Sequence, residues 1–203
     1  MKRLIATAAL ATLVASPAFA QSPFYNPDAG PYLGAGIGHA KLDNDTLDLL
    51  DDIGASTDDT DVSFKLFAGY QFNPYFAVEA SYVDFGDFTA SGSEGGDSAS
   101  LKLGFDGFTA ALVGKLPIQS GFSLFGKLGM IAWDADLDFN ATIQGQSFQG
   151  SGGEDGTDLF YGIGTEYVIN QIIMRAEFER YDISESGEDF EIDMFSGSIG
   201  YRF

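Results

Sequence analysis

The chain has 203 residues, with 30 acidic side chains against 10 Lys and Arg, and a formal net charge of −20. That surplus leaves little to neutralise phosphates, so nucleic acid is excluded as a partner; the lack of cysteine excludes disulfides and thiolate metal sites. Beyond the N-terminal segment no stretch approaches about eighteen consecutive apolar residues, which excludes a helical membrane span.

In chain order, residues 1–20 read as a signal peptide. Lys2 and Arg3 form a basic start, Leu4 to Ala15 an apolar run, and Ala18-Phe19-Ala20 an A-x-A cleavage site. The mature chain is therefore expected to begin at Gln21, with residues 21–203 forming one domain. After a short lead-in with two prolines, strand one is expected over 31–41. Period-two alternation then marks strands over 61–72, 75–88, 101–116, 122–138, 158–168 and 172–182. The last strand runs from Asp193, with Phe195, Ile199, Tyr201 and Phe203 on one face and Met194, Ser196, Ser198, Gly200 and Arg202 on the other.

Connections alternate in length. Long loops are expected at 42–60, 90–99, 139–157 and 183–192, and short turns at Asn73-Pro74, 117–121 and 169–171. This is an antiparallel meander with all long loops at one end. Bacterial outer-membrane barrels have even strand numbers, short periplasmic turns and long external loops. The expected fold class is thus all-β, an eight-stranded antiparallel up-and-down transmembrane β-barrel, with both termini on the periplasmic side.

Size sets which face is inside, because an eight-stranded interior is only just wide enough for side chains to fill. Gly34, Gly36, Gly38, Gly69, Gly129, Gly162, Gly164 and Gly200 share parity with the charged residues, while Phe, Tyr, Leu and Ile mostly take the other. The small and charged face is therefore expected inside. Gly114, Gly126 and Gly197 break that pattern. Inward parity collects Lys65, Lys115, Lys127, Arg175 and Arg202 with Glu79, Glu166, Glu177 and Glu179. Removing one member of a buried pair costs about 3–5 kcal/mol, so these nine are read as a mutual interior charge network that plugs the lumen. A charged ring selecting ions in a pore is the alternative, and it needs a wider barrel.

Few cations remain elsewhere: Lys41, Lys102 and Arg180, the last at the rim, where it has the charge to touch lipopolysaccharide phosphates. His39 stands alone at the outer end of strand one, with no Ser or acid pinned beside it to build a catalytic triad. No catalytic, cofactor-binding or metal residue is assigned, and the chain is not read as an enzyme. The run Asp43, Asp45, Asp48, Asp51, Asp52, Asp58, Asp59 and Asp61 lacks the spacing of a calcium loop and supports only weak, diffuse divalent-cation binding.

Several segments resemble the outer membrane protein A-like transmembrane barrel family: Tyr161 to Tyr167, Arg175 to Tyr181, Gly200 to Phe203, Tyr82 to Gly86, Gly126 to Gly129 and Trp133 to Asp136. The match runs through most of the mature chain and is strongest in its last fifty or so residues. It implies a place in the bacterial outer membrane, reached through the periplasm, with outer-membrane lipid, lipopolysaccharide and the barrel-assembly machinery as partners. The ending Tyr201-Arg202-Phe203 resembles the assembly signal of such barrels, with Tyr201 and Phe203 as its aromatic residues. Members that tether peptidoglycan carry a second, periplasmic domain; with the sequence ending at Phe203, a barrel-only member is expected. The leading functional expectation is a small barrel with a charge-filled interior and acidic external loops, serving envelope integrity or adhesion-like surface contact. A narrow channel for small solutes is the runner-up, and an outer-membrane enzyme comes third.

Overall fold

The computed structural model describes residues 29–43, 56–58, 60–94, 97–185 and 188–203. The signal peptide expected at 1–20 lies outside them, as does most of the acidic run between Asp43 and Asp61. Among the described residues nine strands follow in order: β1 (Gly30–Asp43), β2 (Ser56–Asp58), β3 (Thr60–Asn73), β4 (Phe76–Glu94), β5 (Asp97–Gln119), β6 (Phe122–Ile143), β7 (Gln146–Ile169), β8 (Ile172–Glu185) and β9 (Glu188–Arg202). All pairings are antiparallel. The eight long strands form a ring, β1-β3-β4-β5-β6-β7-β8-β9, closed by β9 on β1. Closure satisfies the backbone inside the bilayer, where an open edge would leave polar groups without water. β2 is a short addition on β4, pairing with Thr89–Ser91.

The turns at the periplasmic end fall where the sequence puts them, after Asn73, Gln119 and Ile169. The opposite end differs. The stretch read as a loop at 139–157 is strand: β6 and β7 pair continuously up to Ile143↔Gln146. Their link is the two-residue turn Gln144-Gly145, with φ of 53° and 77°, the left-handed pair that a tight hairpin requires. The loops read at 90–99 and 183–192 are likewise mostly strand, carrying β4 to Glu94, β5 from Asp97, β8 to Glu185 and β9 from Glu188. These stretches have water on one or both faces and are rich in Gly, Ser and acids. The hydrophobic alternation that betrays a strand is therefore short in them, limited to Phe139, Ala141 and Ile143 in one and to Phe190 and Ile192 in another.

The ring is not continuous to the top. β3 and β4 pair only up to Phe64↔Asp84, and β7 and β8 only up to Leu159↔Asp182. Above those points the wall divides into a tall flap (upper β4–β7, with β2) and a short flap (upper β8, β9, β1 and β3). The Asp61 side chain bridges the seam between β3 and β4. Asp61 Oδ2 accepts the Asp87 N–H at 2.7 Å, while its Oδ1 accepts that of Val62 at 2.6 Å. Beside it β4 makes a bulge between Asp84 and Gly86. Gly86 has φ +82°, and a Cβ there would meet the Asp61 carboxylate at 2.7 Å.

Candidate functional site

The site is the filled interior. Along the lower strands, alternation sends bulky apolar groups outward: Leu33, Ile37, Leu66, Leu112, Leu128, Ile163, Phe195 and Ile199 are all exposed. Their partners on the other parity point into the ring. The structure places Lys65, Glu79, Lys115, Lys127, Glu166, Arg175, Glu177 and Glu179 in the interior, all buried. Arg202 sits at its lower end with its side chain 16% exposed.

The nine are brought together in a single connected chain. Lys65 Nζ donates to Glu179 and, at 3.3 Å, to Glu177. Lys127 Nζ bonds Glu177, Glu79 at 2.6 Å and Glu179 at 3.4 Å. Arg175 links the middle to the bottom, through Nη1 to Glu79 at 2.6 Å and Nε to Glu166 at 2.8 Å. Lys115 meets Glu166 at 2.7 Å and donates to Gln71 Oε1 at 3.0 Å. Gln71 Oε1 also accepts from Arg202 Nη2 at 2.9 Å, and Arg202 stands 4.0 Å from Glu166. Four buried cations thus face four buried anions, so each charge has compensation without water.

Neutral groups extend the chain, and the sequence reading did not include them. Tyr32 donates to Glu79 at 2.9 Å, Tyr181 to Glu179 at 3.2 Å and Ser198 to Glu177 at 3.4 Å. Parity was the available signal: Tyr32, Gln71, Tyr181 and Ser198 all alternate in phase with the inward charges. Three rings also surround the Arg175 guanidinium, whose carbon lies 5.1, 5.0 and 5.3 Å from the centroids of Tyr32, Phe67 and Phe125. An arginine is suited to this position because its planar, weakly hydrated cation stacks on aromatic faces.

The expected division into small residues inside and bulky ones outside needs correction, because large rings also occupy the interior. Phe67 and Phe125 lie where a Cβ on Gly34 and Gly164 would stand, and Phe160 and Trp133 do the same at Gly129 and Gly156. These four glycines are thus seats for rings from neighbouring strands. Above the charge chain an apolar cluster occupies the interior: Val83, Phe85, Phe88, Phe105, Ile131, Trp133, Phe160, Ile183, Ile192 and Met194 form one buried group, with Tyr181 at its base. Phe160 stacks on Tyr181 at 5.0 Å, and Phe105 meets Trp133 edge-on at 6.2 Å. Trp133 Nε1 donates to Asp158 at 2.7 Å.

Outside this cluster the wall is acidic. Asp84, Asp106, Asp134 and Asp155 are direct cross-strand neighbours on the outer face of β4, β5, β6 and β7. Burial pushes the Asp106 carboxyl above its ordinary value; the Tyr82 hydroxyl draws it partly back, and Asp134 and Asp84 add to the rise. Among the described residues no group of three or more His, Asp or Glu is placed to hold a metal ion. Arg180, read as a rim cation open either to lipopolysaccharide phosphates or simply to water, is engaged within the protein. Its Nε and Nη2 each meet Asp193 at 2.6 Å, and Nη1 meets Glu191 at 2.7 Å. His39 is exposed on the outer face, with Val62 and Phe195 as cross-strand neighbours. Tyr201 and Phe203 pack edge-on at 5.0 Å, both exposed at the periplasmic end.

A family model described as outer membrane protein beta-barrel domain matches residues 6–203. No curated protein matches the chain in sequence. Among solved structures, Ail, the attachment invasion locus protein of Yersinia pestis, in complex with the heparin analogue sucrose octasulfate, superposes with a TM-score of 0.54 at 22% identity. That match covers 87% of this chain and 99% of that one. Neisserial surface protein A gives a TM-score of 0.56 at 16% identity, covering 86% and 97%. The outer membrane protein OprG from Pseudomonas aeruginosa gives 0.50 at 17%, covering 87% and 97%. At these identities the likeness is one of fold.

Proposed function

We infer that this chain, which belongs to the outer membrane protein beta-barrel domain family and lies in the bacterial outer membrane, is a closed barrel that displays an acidic sheet outside the cell. The observation that carries this reading is the filled interior. Four buried cation–anion pairs occupy the membrane-level lumen, and an apolar cluster stands directly above them. A solute crossing the barrel would have to strip apart ion pairs that have no water to replace them. The role is structural and surface-directed, with outer-membrane lipid and lipopolysaccharide as its surroundings. Weak, diffuse divalent-cation binding is proposed for the acidic run between Asp43 and Asp61. A polyanion such as the heparin analogue bound to Ail does not suit the acidic exterior, whose outer-face row carries four carboxylates.

The test is conductance of the refolded protein in planar bilayers. No sustained single-channel current is expected; steady, sizeable currents would replace the closed barrel with a channel. The ending Tyr201-Arg202-Phe203 is proposed as the signal read by the barrel-assembly machinery. Phe203→Ser is expected to lower outer-membrane insertion while export to the periplasm stays normal. Unchanged insertion would leave Phe203 as a rim aromatic and nothing more.

A further inference from the structure

Five asparagines occur in the chain, and two of them stand in the pattern Asn-x-Ser/Thr with x other than proline: Asn44-Asp45-Thr46 and Asn140-Ala141-Thr142. In an exported chain that pattern is an acceptor for asparagine-linked glycosylation. At the second match the same two-residue step continues backwards to an acid, giving Asp138-Phe139-Asn140-Ala141-Thr142. The residue in that place before Asn44 is Leu42. Residues two apart share a face in an extended chain, so the carboxylate, the amide and the hydroxyl are offered together from one side.

The structure puts this row high on the outer face of β6, in phase with Asp134 and Asp136. Asn140 lies six residues beyond Asp134, roughly 20 Å above the acidic row at about 3.3 Å per residue. Asp138 and Asn140 are exposed, and Thr142 is partly so. The cross-strand neighbours of Asn140 are Ser100 on β5 and Gln149 on β7, both exposed. A large polar group on the Asn140 amide would therefore stand in water, clear of lipid and of the interior. Both main-chain sides of Asn140 are committed, one to β5 and one to β7. Once the sheet has formed, the segment cannot be drawn into an enzyme's active site. Its accessible stage is the unpaired chain in the periplasm, before the barrel closes.

We propose that Asn140 is an acceptor for an oligosaccharide, transferred in the periplasm from a lipid-pyrophosphate carrier by an enzyme with a cationic subsite for Asp138 and a polar one for Thr142. The Asn140 Nδ2 bonds to the anomeric carbon of the first sugar. The bond from that carbon to the pyrophosphate oxygen breaks, the lipid pyrophosphate leaves with the electron pair, and the amide gives one proton to a base of the enzyme. The assembled barrel then carries the sugar near the tip of the tall flap, four residues before the turn at Gln144. This goes beyond the closed-barrel reading and shares with it only the outer-membrane location.

The experiment produces the full chain in a bacterial host that carries a periplasmic asparagine-linked oligosaccharyltransferase of the acid-requiring class, its lipid-linked donor and a reference acceptor protein. Outer membranes are isolated, and the barrel is weighed intact and as peptides spanning 138–142. The expected result is a gain of one oligosaccharide, on Asn140 and not on Asn44, in barrels that have reached the outer membrane. Asn140→Gln and Thr142→Val should abolish it, Thr142→Ser should keep it, and Asp138→Asn should lose most of it. The refolded barrel, offered to the same enzyme and donor in detergent, should stay unmodified. An unmodified chain beside a glycosylated reference, sugar on Asn44 in place of Asn140, or occupancy indifferent to Asp138 and Thr142 would each overturn the proposal. So would modification of the refolded barrel, or sugar confined to chains that never reach the outer membrane. Bilayer conductance keeps the two readings apart: steady currents from Asn140→Gln would remove the closed barrel and leave the acceptor site standing.

Discussion

The lower and upper halves of this barrel solve opposite packing problems with the same alternation. On β6, Leu124, Leu128 and Met130 face outward below, with Lys127 inside; above, Asp134, Asp136 and Asp138 face outward, with Ile131 and Trp133 inside. β8 inverts likewise, from Met174 and Phe178 outside Arg175, Glu177 and Glu179 to Asp182 outside Tyr181 and Ile183. The backbone does not change; the solvent does. Lipid outside accepts apolar groups, which leaves the interior to polar groups that must satisfy one another. Water outside restores the ordinary rule, and the interior becomes a hydrophobic core. The row Asp84, Asp106, Asp134 and Asp155 marks the changeover on the tall side. Stability is therefore ionic below and apolar above, which substitution should separate.

The largest effect is expected from Arg175→Met, which would leave Glu79 and Glu166 each short of a cation. Removing one partner of a buried pair costs about 3–5 kcal/mol, and here two carboxylates each lose a cation, Glu79 keeping Lys127 and Glu166 keeping Lys115. Urea unfolding followed by gel migration in detergent should show a large drop in midpoint. If the midpoint barely moves, the ionic half does not hold the barrel and the comparison fails at its lower end.

Ile131→Ala tests the upper half, where this side chain is fully buried in the apolar cluster. Truncation costs about 2–5 kcal/mol where a cavity is left. Trp133 is the only tryptophan in the chain and lies in the same cluster, so its emission reports on that half alone. A red shift at denaturant concentrations that leave barrel migration intact would establish the halves as separable. Loss of both signals together would make them one cooperative unit.

How much of this could be read from the sequence follows the same divide. In the lower half one face is greasy and the other small or charged, so parity gave the strands, the turns and the nine interior charges. In the upper half the inverted pattern was weak. Phe139, Ala141 and Ile143 continue the parity of Ile131 and Trp133, a signal obscured by the acids at 134, 136 and 138, while the Gly-, Gln- and Ser-rich stretch from Gln144 to Thr157 carries Phe148 as its one apolar side chain. Strand pairing there comes from the Gln144-Gly145 hairpin, and a burial pattern cannot reveal it. The inward rings were hidden for another reason. Phe67 and Phe125 share parity with glycines, and parity alone does not show that a glycine is vacant because a ring fills its place.

The seam between the flaps offers a sharper test of the upper half. Gly86→Ala would place a side chain at φ +82° and against the Asp61 carboxylate. The left-handed backbone alone costs about 1–2 kcal/mol. The upper cluster should loosen, again seen in Trp133 emission, while the ionic half keeps its resistance to urea. An unchanged emission profile would show that the apolar cluster does not depend on the bulge.

The smallest effect expected is a response to acid at the same seam. Asp61 lies above the level of Phe64 and Asp84, where the wall is in water. Its carboxyl is held below the ordinary Asp value, first by the Asp87 N–H and then by that of Val62. Lys102 and His39 push in the same direction, and partial burial opposes them. A carboxyl lowered in the folded state contributes stability that is fully present above the unfolded Asp value, near about 3.9, and is lost as pH falls through the lower folded value. Neutral pH therefore keeps the bridge closed, and strong acid opens it. Because this carboxylate is mostly in water, the gain is modest and should diminish in salt. The measurement is amide exchange at Asp87 across an acid titration, in wild type and in Asp61→Asn. The asparagine retains an acceptor oxygen without a titrating group, so its Asp87 protection should be independent of pH once intrinsic exchange is corrected. Wild-type protection should fall in the acid range. Identical profiles for the two proteins would mean that the seam is held by packing of the apolar cluster beneath it and not by Asp61, which would extend the apolar half's role to the edge of the wall.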